Sequence, residues 1–225
     1  MVVKETLKTI PFLGNLLRKI KQFILPPKAA GEIKGNNNRV INEGSFNNVV
    51  LDICGNNNEI RIGKNSSINN ALIFIRGNNH RILIEENCFF GKGELWIEDE
   101  RGSIIIHSYT TIEHAHLAVT EPGSVIEIHQ DCMLSKQVEI RTGDSHSIID
   151  LQTGKRINPA GNVILEDHVW VGAKATILKG VTVGHHSVIG SGAMVIQNVP
   201  ANSIAAGVPA KVIRTNIDWK RERLY

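Results

Sequence analysis

The segment Val169-Trp170-Val171-Gly172-Ala173-Lys174-Ala175-Thr176-Ile177 belongs to a six-residue period that runs from Leu165 to Val199. Leu165, Val171, Ile177, Val183, Ile189 and Val195 are aliphatic, and a second set, Val169, Ala175, Val181, Ser187, Ala193 and Val199, is small or β-branched. Six residues turn an α-helix through about 600°, so this period cannot stay on one helical face. Three short strands of six residues per coil put both sets inside a triangular prism.

Upstream the period is longer. Gly35-Asn36-Asn37-Asn38-Arg39-Val40 is echoed by Gly55-Asn56-Asn57-Asn58-Glu59-Ile60 and by Gly77-Asn78-Asn79-His80-Arg81-Ile82. Weaker copies start at Gly102 and Gly123, giving separations of 20, 22, 25 and 21 residues. Each unit is a Gly/Asn corner followed by an alternating strand such as Glu59-Ile60-Arg61-Ile62. Gly and Asn tolerate positive φ, and stacked Asn side chains form hydrogen-bonded ladders. The class is all-β, and the architecture is a parallel β-solenoid.

Composition agrees. Of 225 residues, 42% are hydrophobic but only 5% aromatic, so the interior is built from Ile, Val, Leu and Ala. A net charge of +3 argues against nucleic acid as a partner. Cys54, Cys88 and Cys132 show neither C-x-x-C nor metal-ligand spacing and are expected to be buried small groups in a reducing compartment. No apolar run suggests a membrane span or a secretory leader, which points to the cytoplasm.

The charge is uneven. Lys4, Lys8, Arg18, Lys19, Lys21 and Lys28 against Glu5 give residues 1–28 a balance of +5. Leu7, Ile10, Leu13, Leu17, Ile20 and Ile24 recur at helical spacing until Pro26-Pro27. Residues 1–30 are therefore expected as a basic amphipathic helical segment. It either covers the open end of the solenoid or rests on an anionic membrane. The solenoid is expected over residues 31–214, with a short C-terminal helical tail at 215–225.

Val171-Gly172, Val183-Gly184, Ile189-Gly190 and the closing run from Val199 to Arg214 resemble the hexapeptide-repeat acyltransferases. The resemblance implies a left-handed parallel β-helix and a homotrimer with active sites between subunits. Thr142-Gly143-Asp144-Ser145-His146-Ser147-Ile148-Ile149 breaks the period and leads into the polar excursion Asp150 to Asn162. Loops leaving a tight coil are more often functional than decorative. Trp170 follows His146 by 24 positions and is expected to return one coil along, near the same edge. Asp-Ser-His-Ser-Ile, a loop, then Val169-Trp170-Val171-Gly172-Ala173 looks like the sugar and polysaccharide O-acetyltransferase branch.

That likeness implies His146 as general base in direct acetyl transfer from acetyl-CoA to a saccharide hydroxyl. Trp170 would offer its indole face to sugar or pantetheine. Asp144 either orients the imidazole or caps a turn. Ala173, Ser191, Lys211 and Arg214 match family positions that meet acetyl-CoA. Gln197 departs from the family's Thr-Lys at Ile196-Gln197, which removes one expected cation. No two of the nine histidines stand five apart, so the His ligand set of the γ-type carbonic anhydrases is missing, and no metal is expected. His116, thirty residues before His146, is a further acceptor contact to consider. The alternatives are an amino-sugar N-acetyltransferase and a non-catalytic scaffold.

Overall fold

The computed structural model describes residues 28–225, so the basic helical segment expected over residues 1–30 lies outside the described residues except for its last three, which are not helical but open the strand Lys28–Lys34. Among the described residues there is no helix; of twenty-two strands, all but the last wind as a parallel solenoid with three faces. Face one stacks Arg39–Asn42, Glu59–Ile62, Arg81–Ile84, Ser103–Ile106, Val125–Ile128, Val163–Leu165 and Thr182–Val183. Face two includes Phe89–Phe90, Thr111–Ile112, Met133–Leu134, Trp170–Val171, Val188–Ile189 and Ser203–Gly207. Face three includes Gly93–Ile97, Ala115–Val119, Val138–Arg141, Thr176–Ile177 and Met194–Val195. The longer strands Ser45–Cys54 and Ser67–Arg76 run through the corner that joins faces two and three.

Residue-to-residue pairing on face one runs Val40, Ile60, Ile82, Ile104, Ile126 and Val163. The three coils from Ile60 to Ile126 are therefore each 22 residues long, whereas Leu165 pairs with Val183 after 18. The unequal glycine spacing has a local cause. Gly102 occupies the place of His80 in its corner, and its N–H donates to His80 Nδ1, while Gly77 stacks on Asp99. The coil from Ile126 to Val163 takes 37 residues because it contains an inserted loop.

Both six-residue sets point inward, and every member from Leu165 to Val199 is at most 5% exposed. Each fully buried aliphatic side chain stabilises the fold by roughly 1.5–3 kcal/mol. At the corner between faces one and two the column is polar: Ser66, Cys88, Thr110, Cys132, Ser187 and Ser203 are buried. Cys88 and Cys132 stand in for hydroxyls there, with Sγ 3.1 Å from the carbonyls of His107 and Glu166. Burial pushes their thiols up to about 11 and about 12. Cys54 differs from expectation: it is exposed, because its strand alternates and Ile53 takes the inward place.

The C-terminal segment 216–225 is not a helix. Its backbone is held by the coil instead, since Asn202 and Ile217 exchange two hydrogen bonds of 3.0 Å. The Trp219 ring stacks on His168 at 4.1 Å, and its Nε1 donates to the His168 carbonyl. Arg221 reaches Asp131 and Thr111. These anchors replace the i to i−4 bonds a helix would use.

The Asn corner is a three-column ladder. Asn38, Asn58 and His80 share one column: Asn38 Oδ1 accepts from Asn58 N, Asn58 Oδ1 from His80 N, and His80 Nδ1 from Gly102 N. His80 Nε2 lies 3.3 Å from the Arg76 carbonyl, so the neutral Nε2–H tautomer fills both roles of the asparagine amide. Burial lowers the His80 pKa. A depressed imidazole contributes stability above its unfolded value that is lost as pH falls below it, since only the unfolded chain then takes up the proton. His80→Asn is expected to shrink the drop in melting temperature between about pH 7.5 and about pH 5.5, which bracket the ordinary imidazole value. Gly55 allows no such replacement, because a Cβ there would stand 1.7 Å from the Gly77 carbonyl oxygen at φ +146°. Gly55→Ala is expected to lose at least about 1–3 kcal/mol in denaturant unfolding, the cost typical of a strained backbone position.

Candidate functional site

The inserted loop leaves face three after Arg141 and rejoins face one at Val163. It thus starts at the Gly143–His146 motif itself, before the polar excursion that begins at Asp150. Gly143 has no room for a side chain, since a Cβ would meet Thr120 Oγ1 at 2.4 Å. The loop closes around one buried residue, Asn158, whose Nδ2 donates to Asp144 Oδ2 and to the His146 carbonyl, both at 2.8 Å. Its Oδ1 accepts from Ile148 N at 2.7 Å, and Lys179 Nζ and Arg156 Nη2 donate to its carbonyl. Arg156 also pairs with Glu121 across the corner, holding that carboxyl below its usual range.

Asp144 therefore does not orient the His146 imidazole. Its carboxylate is taken by Lys179 and Asn158, and these two, Lys179 first, hold its pKa below the ordinary value. The residue anchors the base of the loop. His146 is exposed, held by its backbone carbonyl, and its imidazole makes no hydrogen bond among the described residues. The ring is thus open to an incoming group.

Beside the motif, face three forms a groove of about 230 Å³ lined by Trp96, Glu98, His116, Thr120, Arg141 and Ser145 among others. The Phe74 and Trp96 rings stack at 3.7 Å along the solenoid axis, with the Arg76 guanidinium 3.9 Å from the Phe74 ring centre. His116 Nδ1 lies 3.2 Å from Glu139 Oε1, while its Nε2 is buried without a hydrogen-bond partner, 3.7 Å from Glu94. Thr120 Oγ1 is likewise buried and unpaired. Unpaired buried polar atoms cost about 1–3 kcal/mol each, and both of these belong to residues that line the groove.

The remaining expected residues lie elsewhere on the prism. Trp170 is on face two, between Met133 and Val188, 36% exposed, and its ring lies 5.9 Å from that of Trp219. Val171 pairs with Ile189, so Ala173 and Ser191 follow in register at the corner between faces two and three. Lys211 and Arg214 are exposed on the last strand, Ala210–Thr215, which pairs antiparallel with Ser203–Gly207. Gln197 is not with them: Ile177 pairs with Val195, which puts Gln197 one coil beyond Lys179, at the loop's corner. Trp170 and His146 thus do not return to one edge of a single chain, because the coil reaches face two only after crossing face one. Asn158, Arg156 and Lys179 carry no motif; the polar break in the period is the one signal that could have pointed to the first two, and nothing in the repeat singles out Lys179.

Comparison with known proteins gives this geometry a setting. Residues 162–197 match the family described as bacterial transferase hexapeptide (six repeats). The chain is 38% identical over 118 residues to a polysialic acid O-acetyltransferase of Escherichia coli O1:K1 / APEC, covering 52% of this chain and 38% of that protein. It is 36% identical over 124 residues to the polysialic acid O-acetyltransferase of Neisseria meningitidis, covering 55% and 57%. These matches thus span between about two-fifths and three-fifths of the length of the curated relatives. The solved polysialic acid O-acetyltransferase OatWY superposes with a TM-score of 0.81 at 32% identity, covering 88% of this chain and 92% of that one. The polySia-specific acetyltransferase NeuO gives 0.77 at 34%, covering 87% and 89%. With the six-residue period, the coil pairing and this near-complete superposition in agreement, the chain belongs to the hexapeptide-repeat, left-handed β-helix acyltransferase family, in its sugar and polysaccharide O-acetyltransferase branch.

Proposed function

We propose that this protein transfers the acetyl group of acetyl-CoA to a hydroxyl of a surface polysaccharide or its precursor. The observation that carries the reading is the exposed imidazole of His146, held on a stapled loop beside a groove with two unpaired polar atoms. Acetyl-CoA supplies the thioester. Neutral His146 removes the proton from the acceptor hydroxyl as that oxygen attacks the thioester carbonyl, and then returns the proton to the departing thiolate. A positioned base of this kind contributes about 10²–10⁴-fold. Ala173 and Ser191 suit a pantetheine arm, since the small corner side chains leave backbone accessible; Lys211 and Arg214 complement CoA phosphates. His116 and Thr120 are the acceptor's polar contacts in the groove. We place the reaction in the cytoplasm, where acetyl-CoA is available, with residues 1–25 as a peripheral membrane contact.

The division of the motif between two edges of the prism favours a site shared by two copies, the loop corner of one facing face two of the next. A closed ring of three such contacts is a homotrimer. The acceptor screen includes polysialic acid, the substrate in the relatives' names, and neutral saccharides, and follows thiol release. His146→Ala is expected to lower kcat by at least about 10²-fold at unchanged folding; full activity in the variant removes His146 from the mechanism. Mixing His146→Ala with Trp170→Ala chains after reversible dissociation is expected to restore up to about a quarter of wild-type activity, because one random interface in four then joins an intact imidazole to an intact indole. Recovery of none would overturn the shared site. Asn158→Ala is expected to lower kcat through the loop while leaving the melting temperature nearly unchanged, because its side-chain bonds lie within the insertion; Asp144→Asn, which keeps the Asn158 contact but loses the Lys179 ion pair, is expected to act less.

A further inference from the structure

On the edge between faces one and two, far around the prism from the His146 loop, a second group of side chains converges. Glu85, His107 and His129 each follow directly on a face-one strand, after Arg81–Ile84, Ser103–Ile106 and Val125–Ile128. Glu127 projects outward from the last of these. One oxygen of Glu127 stands 2.9 Å from His107 Nε2 and 3.8 Å from His129 Nε2, and all three candidate donor atoms lie within 4.8 Å of one another. The opposite nitrogen of each ring faces another carboxylate: His107 Nδ1 is 3.1 Å from Glu85, and His129 Nδ1 is 3.6 Å from Asp167. Each of the three donors is only partly buried, so an ion could enter from solvent.

We propose that His107, Glu127 and His129 bind a divalent ion of the zinc type, with Glu85 as the carboxylate that orients the His107 ring. Two donors held about 2.0–2.2 Å from a tetrahedral ion stand roughly 3.3–3.5 Å apart, and the two measured separations of 2.9 and 3.8 Å straddle that value. His129 makes no hydrogen bond through either ring nitrogen, since both carboxylates lie beyond hydrogen-bonding reach, whereas an ion between it and Glu127 would satisfy its Nε2. A carboxylate behind the distal nitrogen is the arrangement that fixes the tautomer of a ligating histidine. Two His and one Glu leave a fourth position for water. On binding, the ion displaces the proton shared between His107 Nε2 and Glu127, and His107 keeps its Nδ1–H toward Glu85. The competing group, His168, His186 and Asp218, fits less well, because both nitrogens of His168 are already engaged, by Asp131 at 2.7 Å and by the Trp219 carbonyl at 3.0 Å. The ion would join two successive coils, through His107 on one and Glu127 and His129 on the next.

The test is titration of chelator-treated full-length protein with Zn(II) by calorimetry, and with Co(II) by visible absorption. One ion per chain is expected, with the absorption of a four-coordinate cobalt site. Glu127→Gln, which is nearly isosteric, and His129→Ala are each expected to weaken binding at least about tenfold, and Glu85→Gln by about tenfold or more. His168→Ala is expected to bind as wild type. Absence of saturable binding, binding unchanged in both Glu127→Gln and His129→Ala, or loss of binding in His168→Ala alone would each overturn the assignment.

Discussion

Every coil of this protein has to come back in register on the one before, because most of its backbone N–H and C=O groups find their partners in the neighbouring coils. No coil can bury its aliphatic face alone, and stacking supplies both the hydrogen bonds and the apolar contacts together. The columns Ile60, Ile82, Ile104, Ile126 and Ile62, Ile84, Ile106, Ile128 show the consequence: identical side chains at identical places, at most 1% exposed. Similar shapes stacked along one axis fill the prism without voids, which is how an interior poor in aromatics reaches the density of an ordinary core.

Turning a chain three times per coil places heavy demands on its corners. Along one edge Asn65, Asn87, Tyr109, Asp131, His168, His186 and Asn202 all have positive φ between 55° and 64°. Asn and Asp bear this conformation at low cost, but Tyr and His do so less readily. At His168 the strain is offset by the bond to Asp131, by the stacked indole of Trp219 and by that residue's carbonyl. The tail therefore works as a clamp along this edge, which explains why its residues are docked instead of helical.

A rigid scaffold of this kind gives chemistry few places to act, and the insertion makes one. Its fold is local, organised by Asn158, but its anchors, Glu121 and Lys179, belong to the coils on either side. The imidazole is thereby held by the scaffold without being enclosed by it. The groove beside it lies on face three and the Trp170 indole on face two, so one chain keeps the two apart.

The repeat, the inward columns, the Gly/Asn corners, the break in the period at His146 and the family were all legible in the amino-acid order, because alternation and six-residue spacing are short-range patterns that set which way each side chain points. His80 could be placed in the asparagine column from the alignment of three corners alone. The edge on which Trp170 falls, the capture of Asp144 by Lys179 35 residues away, the pairing of His168 with Asp131 across 37 residues and the meeting of His107, Glu127 and His129 were decided only in three dimensions. Such contacts depend on how many residues each coil consumes, and a count through an insertion of unknown shape cannot be carried along the chain; only the closed, stacked coil sets it.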